Sequence, residues 1–158
     1  MSPDSSLVAV LQYTGTKVAL YRADATGVLT PLATLDTPTP QGVSFSPDGG
    51  LLAVPIDAKA VQLWDVTDPV NPKLAGRVEG LGSLPTILAF ANGSRSLAVG
   101  TDTGKVTVWD VTDPAAPVQR HGYGDPHAAV YGITFSPDDQ RLVAVGGDQL
   151  VWAWHLDQ

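Results

Sequence analysis

One pattern recurs three times along this chain at a spacing of 45 residues. Phe45, Phe90 and Phe135 mark one of its positions; Trp64, Trp109 and Trp154 mark another. Phe-Ser-Pro-Asp (45–48), Phe-Ala-Asn-Gly (90–93) and Phe-Ser-Pro-Asp (135–138) surround the first mark, each followed by a short apolar run. A fainter fourth copy opens the chain. Pro3-Asp4 corresponds to Pro47-Asp48, Leu7-Val8-Ala9-Val10 to Leu51-Leu52-Ala53-Val54, and Leu20-Tyr21 to Leu63-Trp64. Met1 stands where the other copies have phenylalanine, so this copy begins in mid-repeat. A fixed period of this length restricts the fold to stacked copies of one supersecondary unit, each burying its apolar faces on its neighbours.

Residues 42–78 define that unit. Val43-Ser44-Phe45 is a short apolar strand ended by Ser46-Pro47-Asp48-Gly49, in which proline presets φ for a tight turn and Asp with Gly completes it. Leu51 to Pro55 is almost continuously apolar, which marks a strand covered on both faces. After a turn at Asp57-Ala58-Lys59, alternation directs Val61 and Leu63 to one neighbour and Gln62 and Trp64 to the other. A proline-fixed loop, Thr67 to Pro72, precedes an outermost strand at Lys73 to Val78, where edge position tolerates proline and charge. The later copies predict strands at 86–90, 96–100, 105–111 and 118–120, then at 131–135, 141–145 and 150–156. No helical periodicity appears. Four-stranded units at this period are the blades of a β-propeller. The expected fold is therefore all-β, a single partial β-propeller over 1–158 with blades near 1–36, 37–79, 80–122 and 123–158. The first blade lacks its innermost strand and the last its outermost, giving about three and a half blades of four antiparallel strands.

Composition narrows the function classes. Hydrophobic residues make up 44% and charged residues 16%, which fits neither a disordered tail nor a membrane protein. No apolar run approaches the ~18 residues that a membrane-spanning helix needs. The net charge is −7, and the nine Lys and Arg are scattered singly, so the basic stripe that nucleic acid or an anionic membrane surface requires is missing. With no cysteine, thiolate metal sites and cysteine nucleophiles are ruled out. The start, Met1 to Ser6, has neither a basic nor an apolar leader region, so a native Met1 implies a cytoplasmic protein.

Phe-Ser-Pro-Asp-Gly, an apolar run, a turn and then Trp-Asp together resemble the WD-repeat family. Val-Thr-Asp-Pro-x-x-Pro after the Trp is similar to repeats of bacterial WD-repeat proteins, often attached to signalling kinases or NTPases. A rival resemblance is to a bacterial surface-protein repeat whose strand ends in a comparable Asp-Pro turn. The WD resemblance implies a non-catalytic scaffold for protein–protein interaction, with protein or peptide partners and no cofactor. It further implies that the loops between second and third strands, and those linking blades, face the partner. By position these include Tyr13, Asp57, Lys59, Asp102, Lys105, Tyr123, His127 and Asp148. The chain departs from the family in lacking the Gly-His dipeptide before the first strand. Trp-Asp survives in two copies, the others reading Tyr21-Arg22 and Trp154-His155.

Half a ring exposes two apolar faces and unpaired strand edges. Three arrangements answer this: a longer propeller of which this is part, a homodimer closing a ring, or a tolerated partial propeller. The unlike ends cannot merge into one normal blade, so an imperfect eight-bladed dimer is the self-assembly expected. Trp152 stands where Gln62 and Thr107 stand in the complete blades. It and Trp154 either fill a gap in the last blade or form an aromatic assembly surface toward a missing or partner blade. His121 and His127, with Asp125, are read into a long loop from Arg120 to Ala129, without metal-ligand spacing. No nucleophile elbow or phosphate loop is present. The expectation is no catalytic and no metal residue, the alternative being a ligand-binding or enzymatic propeller that uses a central channel. Asn92-Gly93-Ser94 matches a glycosylation sequon but occupies a turn position, and reads as a turn.

Overall fold

The computed structural model describes residues 1–12, 16–57, 59–93, 95–124 and 127–156, and among these it contains fourteen strands in four sheets and no helix. The first sheet holds β1 (Leu7–Gln12), β2 (Lys17–Ala23) and β3 (Leu29–Asp36). The second holds β4 (Ser44–Phe45), β5 (Leu51–Ile56), β6 (Ala60–Asp65) and β7 (Lys73–Val78). The third holds β8 (Pro85–Phe90), β9 (Ser96–Thr101), β10 (Val106–Asp110) and β11 (Val118–Tyr123), and the fourth β12 (Val130–Phe135), β13 (Arg141–Gly146) and β14 (Val151–His155). Strands pair antiparallel in chain order, so each sheet is a meander. Among the described residues, the first sheet has no strand inside β1 and the fourth none outside β14, in line with the repeat pattern.

Local chemistry explains the strand lengths. β4 has two residues where β8 and β12 have six. Pro55 of β5 has its carbonyl on the side of β4, where it accepts the Gln41 N–H at 2.9 Å. The N–H it lacks is on that same side, so the ladder to β4 loses a rung. In the first three sheets the pairing to the outermost strand slips by one residue at the same place: Leu20/Tyr21, Leu63/Trp64 and Val108/Trp109. Such a bulge bends the outer strand and adds local twist.

Three apolar seams join the four sheets. Val18, Leu20 and Leu35 pack on Leu52, Val54, Ile56 and Trp64. Val61, Leu63 and Val78 pack on Leu97, Val99 and Trp109. Ala98, Val106 and Val108 pack on Val130, Phe135, Leu142 and Ala144. The alternation along β6 thus divides as expected, with Trp64 toward the first sheet and Val61 and Leu63 toward the third. Trp64 Nε1 donates to Gln62 Oε1 at 3.2 Å, and Trp109 Nε1 to Thr107 Oγ1 at 2.9 Å. Each buried polar partner lies two residues before its tryptophan on the same face, so neither indole N–H is left unpaired.

At two points the sheets approach too closely for any side chain. A Cβ on Gly76 of β7 would fall 1.8 Å from the Pro114 carbonyl oxygen, and one on Gly100 of β9 would lie 2.8 Å from Val130.

Candidate partner-binding face

Among the described residues, the second-to-third-strand turns and the sheet-to-sheet connections lie on one side of the molecule. Several of them are tied to each other. Asp102, in the turn before β10, accepts the Leu84 N–H at 3.1 Å, while its own N–H donates to the Leu84 carbonyl at 2.9 Å. Thr103 Oγ1 donates to the buried Ser83 Oγ at 2.9 Å. Lys59, in the left-handed region at φ +58°, reaches the Gly82 carbonyl with its Nζ at 3.4 Å. Lys105 is half-buried, its N–H donated to Thr101 Oγ1 at 3.0 Å. Asp57 is exposed at the tip of its turn, and Tyr13 lies outside the described residues.

On the fourth sheet the tie is aromatic. Asp148 Oδ2 accepts the Trp152 indole N–H at 2.7 Å, and Oδ1 accepts the Leu150 N–H at 3.1 Å. Trp152's donation, with the Leu150 and His127 backbone N–H groups, holds the Asp148 carboxyl below its ordinary range. His127 meets Trp152 edge-on, with ring centroids 6.4 Å apart. Trp152 stacks on Trp154 at 6.4 Å, Trp154 on Tyr123 at 4.6 Å, and Tyr123 on His121 at 6.1 Å. Five rings from β11, β14 and the connection between their sheets form one ladder.

This ladder revises one expectation and places the two tryptophans. His121 does not lie in a loop: β11 continues to Tyr123, pairing His121 with Val108. Alternate residues of β11 then place His121 and Tyr123 on one face, opposite the aromatics of β14. Trp152 and Trp154 project into the seam with the third sheet, where Trp154 packs on the shared core. The side of β14 turned away from that seam carries Val151, Ala153 and His155, all exposed. The ladder was visible in the sequence only as two period-two aromatic pairs; that the pairs face each other depends on sheet packing.

The opposite side carries the first-to-second and third-to-fourth strand turns. There the aspartate of each Trp-Asp caps its own loop. Asp65 accepts the Thr67 N–H and hydroxyl at 3.0 and 2.6 Å, and Asp110 accepts the Thr112 N–H at 3.0 Å and Arg120 at 2.8 Å. The Arg120 hydrogen bond, with those from Thr112, draws the Asp110 carboxyl down to about 2, and Thr67 lowers Asp65. These are structural turns that set strand spacing. Among the described residues no group of three or more His, Asp or Glu is placed to hold a metal ion.

The comparisons agree with this geometry. The WD40 family model (WD domain, G-beta repeat) matches residues 119–155. Those residues run from β11 through β14, the outermost strand of one sheet and the three strands of the next. The chain folds as a partial β-propeller. A solved chain in a crystal structure of the mitotic checkpoint complex matches it with a TM-score of 0.79 at 23% identity, over 99% of this chain and 47% of that one. This chain therefore spans about half the length of that solved chain. No curated protein sequence matches it.

Proposed function

We propose that this WD-repeat propeller is a non-catalytic platform that binds a protein or peptide on the face formed by its second-to-third-strand turns and sheet connections. One observation carries the reading: the second-to-third-strand turns of the second and third sheets are both tied to the connection between them, through Lys59 to Gly82, Thr103 to Ser83 and Asp102 to Leu84. A surface assembled this way is pre-organised, so a partner meets it without an ordering cost. Asp57 and His127 stand free of the core on that face and supply polar contacts at its rim. Rim charges of this kind tune association rate more than affinity.

We further propose that the two uncovered end faces meet head to tail between copies, the outer face of the fourth sheet on the first sheet of a second copy. Val143, Val145, Val151 and Ala153 line the former; Val8, Val10 and Tyr21 line the latter. Light scattering on a sizing column across a dilution series tests this. A species near twice 16.5 kDa, lost in Val151→Glu, supports it. A monomer at every concentration overturns self-association and leaves the platform reading standing. The platform reading is itself tested by peptide-array binding with wild type and Asp102→Ala. Equal binding by both, or none by either, overturns the assignment of this face.

A further inference from the structure

The four turns that follow the innermost strand position are built alike, except one. Ser46 donates its hydroxyl to Asp48 and accepts the Leu51 N–H at 2.9 Å, while Asp48 accepts the Gly50 N–H at 3.0 Å. Ser136 and Asp138 repeat this with Arg141 and Gln140 at 3.0 and 3.1 Å. Ser2 and Asp4 repeat it with Leu7 and Ser6 at 2.8 and 3.0 Å. Each turn caps itself. The third turn reads Ala91-Asn92-Gly93, so the capping serine is replaced by Ala91 and the capping aspartate by Gly93.

Its polar groups are satisfied from the neighbouring sheet. Asp139, left-handed at φ +58°, extends its carboxylate across the third seam. Oδ1 accepts the Asn92 backbone N–H and the Asn92 Nδ2, both at 2.8 Å; Oδ2 accepts the Gly93 N–H at 3.0 Å. Asn92 Nδ2 also donates to the Ser136 carbonyl at 3.0 Å. Two residues of one sheet thus make four hydrogen bonds to the adjoining turn of the next.

Asn-Gly is also the dipeptide most open to deamidation, because glycine has no side chain to hinder attack by its own nitrogen. The Gly93 nitrogen attacks Asn92 Cγ, its proton leaves with the side-chain nitrogen as ammonia, and a five-membered succinimide forms. Water then opens the ring to aspartate or isoaspartate. In the closed seam, the attacking N–H and the departing amide are held by the same carboxylate, and the leaving nitrogen is pinned a second time by Ser136. The charge of Asp139 also opposes the anionic nitrogen and the oxyanion that the step must develop. After deamidation an aspartate at 92 presents oxygens where Nδ2 had donated, facing the Asp139 carboxylate and the Ser136 carbonyl. Acceptors would then face acceptors, and like charges would meet.

We propose that Asn92-Gly93 is a deamidation site guarded by Asp139, so that the seam between the third and fourth sheets protects it while closed and cannot reclose after it has reacted. The opening of this seam is thereby recorded as a covalent change. The test is peptide mapping by mass spectrometry of the full chain held in warm neutral buffer, following the one-unit mass gain at Asn92. Folded wild type should deamidate at least roughly tenfold more slowly than the same chain in urea and than Asp139→Ala, the scale expected for losing charge-assisted hydrogen bonds. Gly93→Ala, whose Cβ would sit an ordinary 3.6 Å from Asp139 Oδ2, should suppress the reaction in both states. An Asp139→Ala rate equal to or below that of wild type overturns the proposal, since Asp139 would then be no guard or would act as a base. If Asp139→Ala does not fold, the comparison of folded with urea-unfolded wild type decides, and equal rates overturn it. Asn92→Asp should lower the melting temperature more than Asn92→Ala; equal effects overturn the claim that the reacted seam cannot reclose.

Discussion

The second and fourth sheets carry the same repeat and differ in their surroundings. β6 is buried at every position from Ala60 to Trp64, with Leu63 at 0% exposure; in β14 half-buried residues alternate with exposed ones, and Val151 is 71% exposed. The sequences do not explain this, since both strands are mostly apolar and carry the repeat's tryptophan next to last. The second sheet is packed on both faces and the fourth on one. Double burial in this fold is supplied by neighbours, so the stability of each sheet depends on the number of seams it shares.

The strongest way to break the comparison is to truncate one residue on each strand. Leu63→Ala should cost about 2–5 kcal/mol, and Val151→Ala no more than about 0.5 kcal/mol, by chemical denaturation at dilutions where the chain is monomeric. A large cost at Val151 in the monomer would show that its face is covered within the chain itself. Next is Gly76→Ala, which places a methyl group on the Pro114 carbonyl and should cost about 3 kcal/mol, while Gly124→Ala, with nothing within 4 Å, should be nearly neutral. Similar melting temperatures for these two variants would contradict the close approach of the second and third sheets. Trp152→Phe should lose about 1 kcal/mol with its hydrogen bond to Asp148, leaving solution mass unchanged. A change in mass would instead move Trp152 from the seam to an assembly surface.

The smallest effect expected is in acid. Asp110 is lowered to about 2, and Asp65 and Asp138 are lowered as well. Folded values below unfolded ones mean that the stabilisation is fully present above about pH 4 and is lost as the pH falls through the folded values. The melting temperature should therefore decline from about pH 4 toward pH 2, with a shallower slope in Asp110→Asn. An unchanged slope would show that the Arg120 contact contributes nothing to the pH dependence. In the fourth sheet His155 stands in the place of Asp65 and Asp110, and the lowered carboxyls are Asp138 and Asp148.

Strand positions were legible because double burial leaves continuous apolar runs, and the turns because Ser-Pro-Asp caps itself from within five residues. The outer strand β11 was read three residues short. Gln119 to Gly122 is polar and ends in glycine, as a loop would, and an exposed edge strand needs no apolar pattern to pair. The candidate face was legible as a set of loops but not as a connected surface. Asp102 and Leu84, or Asp139 and Asn92, are far apart in the chain, and their pairing depends on the packing of successive strands and sheets. Nothing local to Asn92 announces that its turn is capped from elsewhere; the only signal is the loss of Ser and Asp from the repeat.

The WD match from β11 to β14 overlaps two sheets, so the unit of sequence and the unit of structure are out of phase. Each repeat resembles an overlapping tile, with one strand laid on the preceding course and three on its own. A protease cut at residues 79–84 would separate whole sheets, whereas a cut at 66–72 would leave an outer strand held to its sheet by ladder hydrogen bonds and the packing of Val78. Removing a single repeat would damage two courses at once. Growth or loss of such a chain by whole repeats therefore always leaves one sheet at each end asking for a strand.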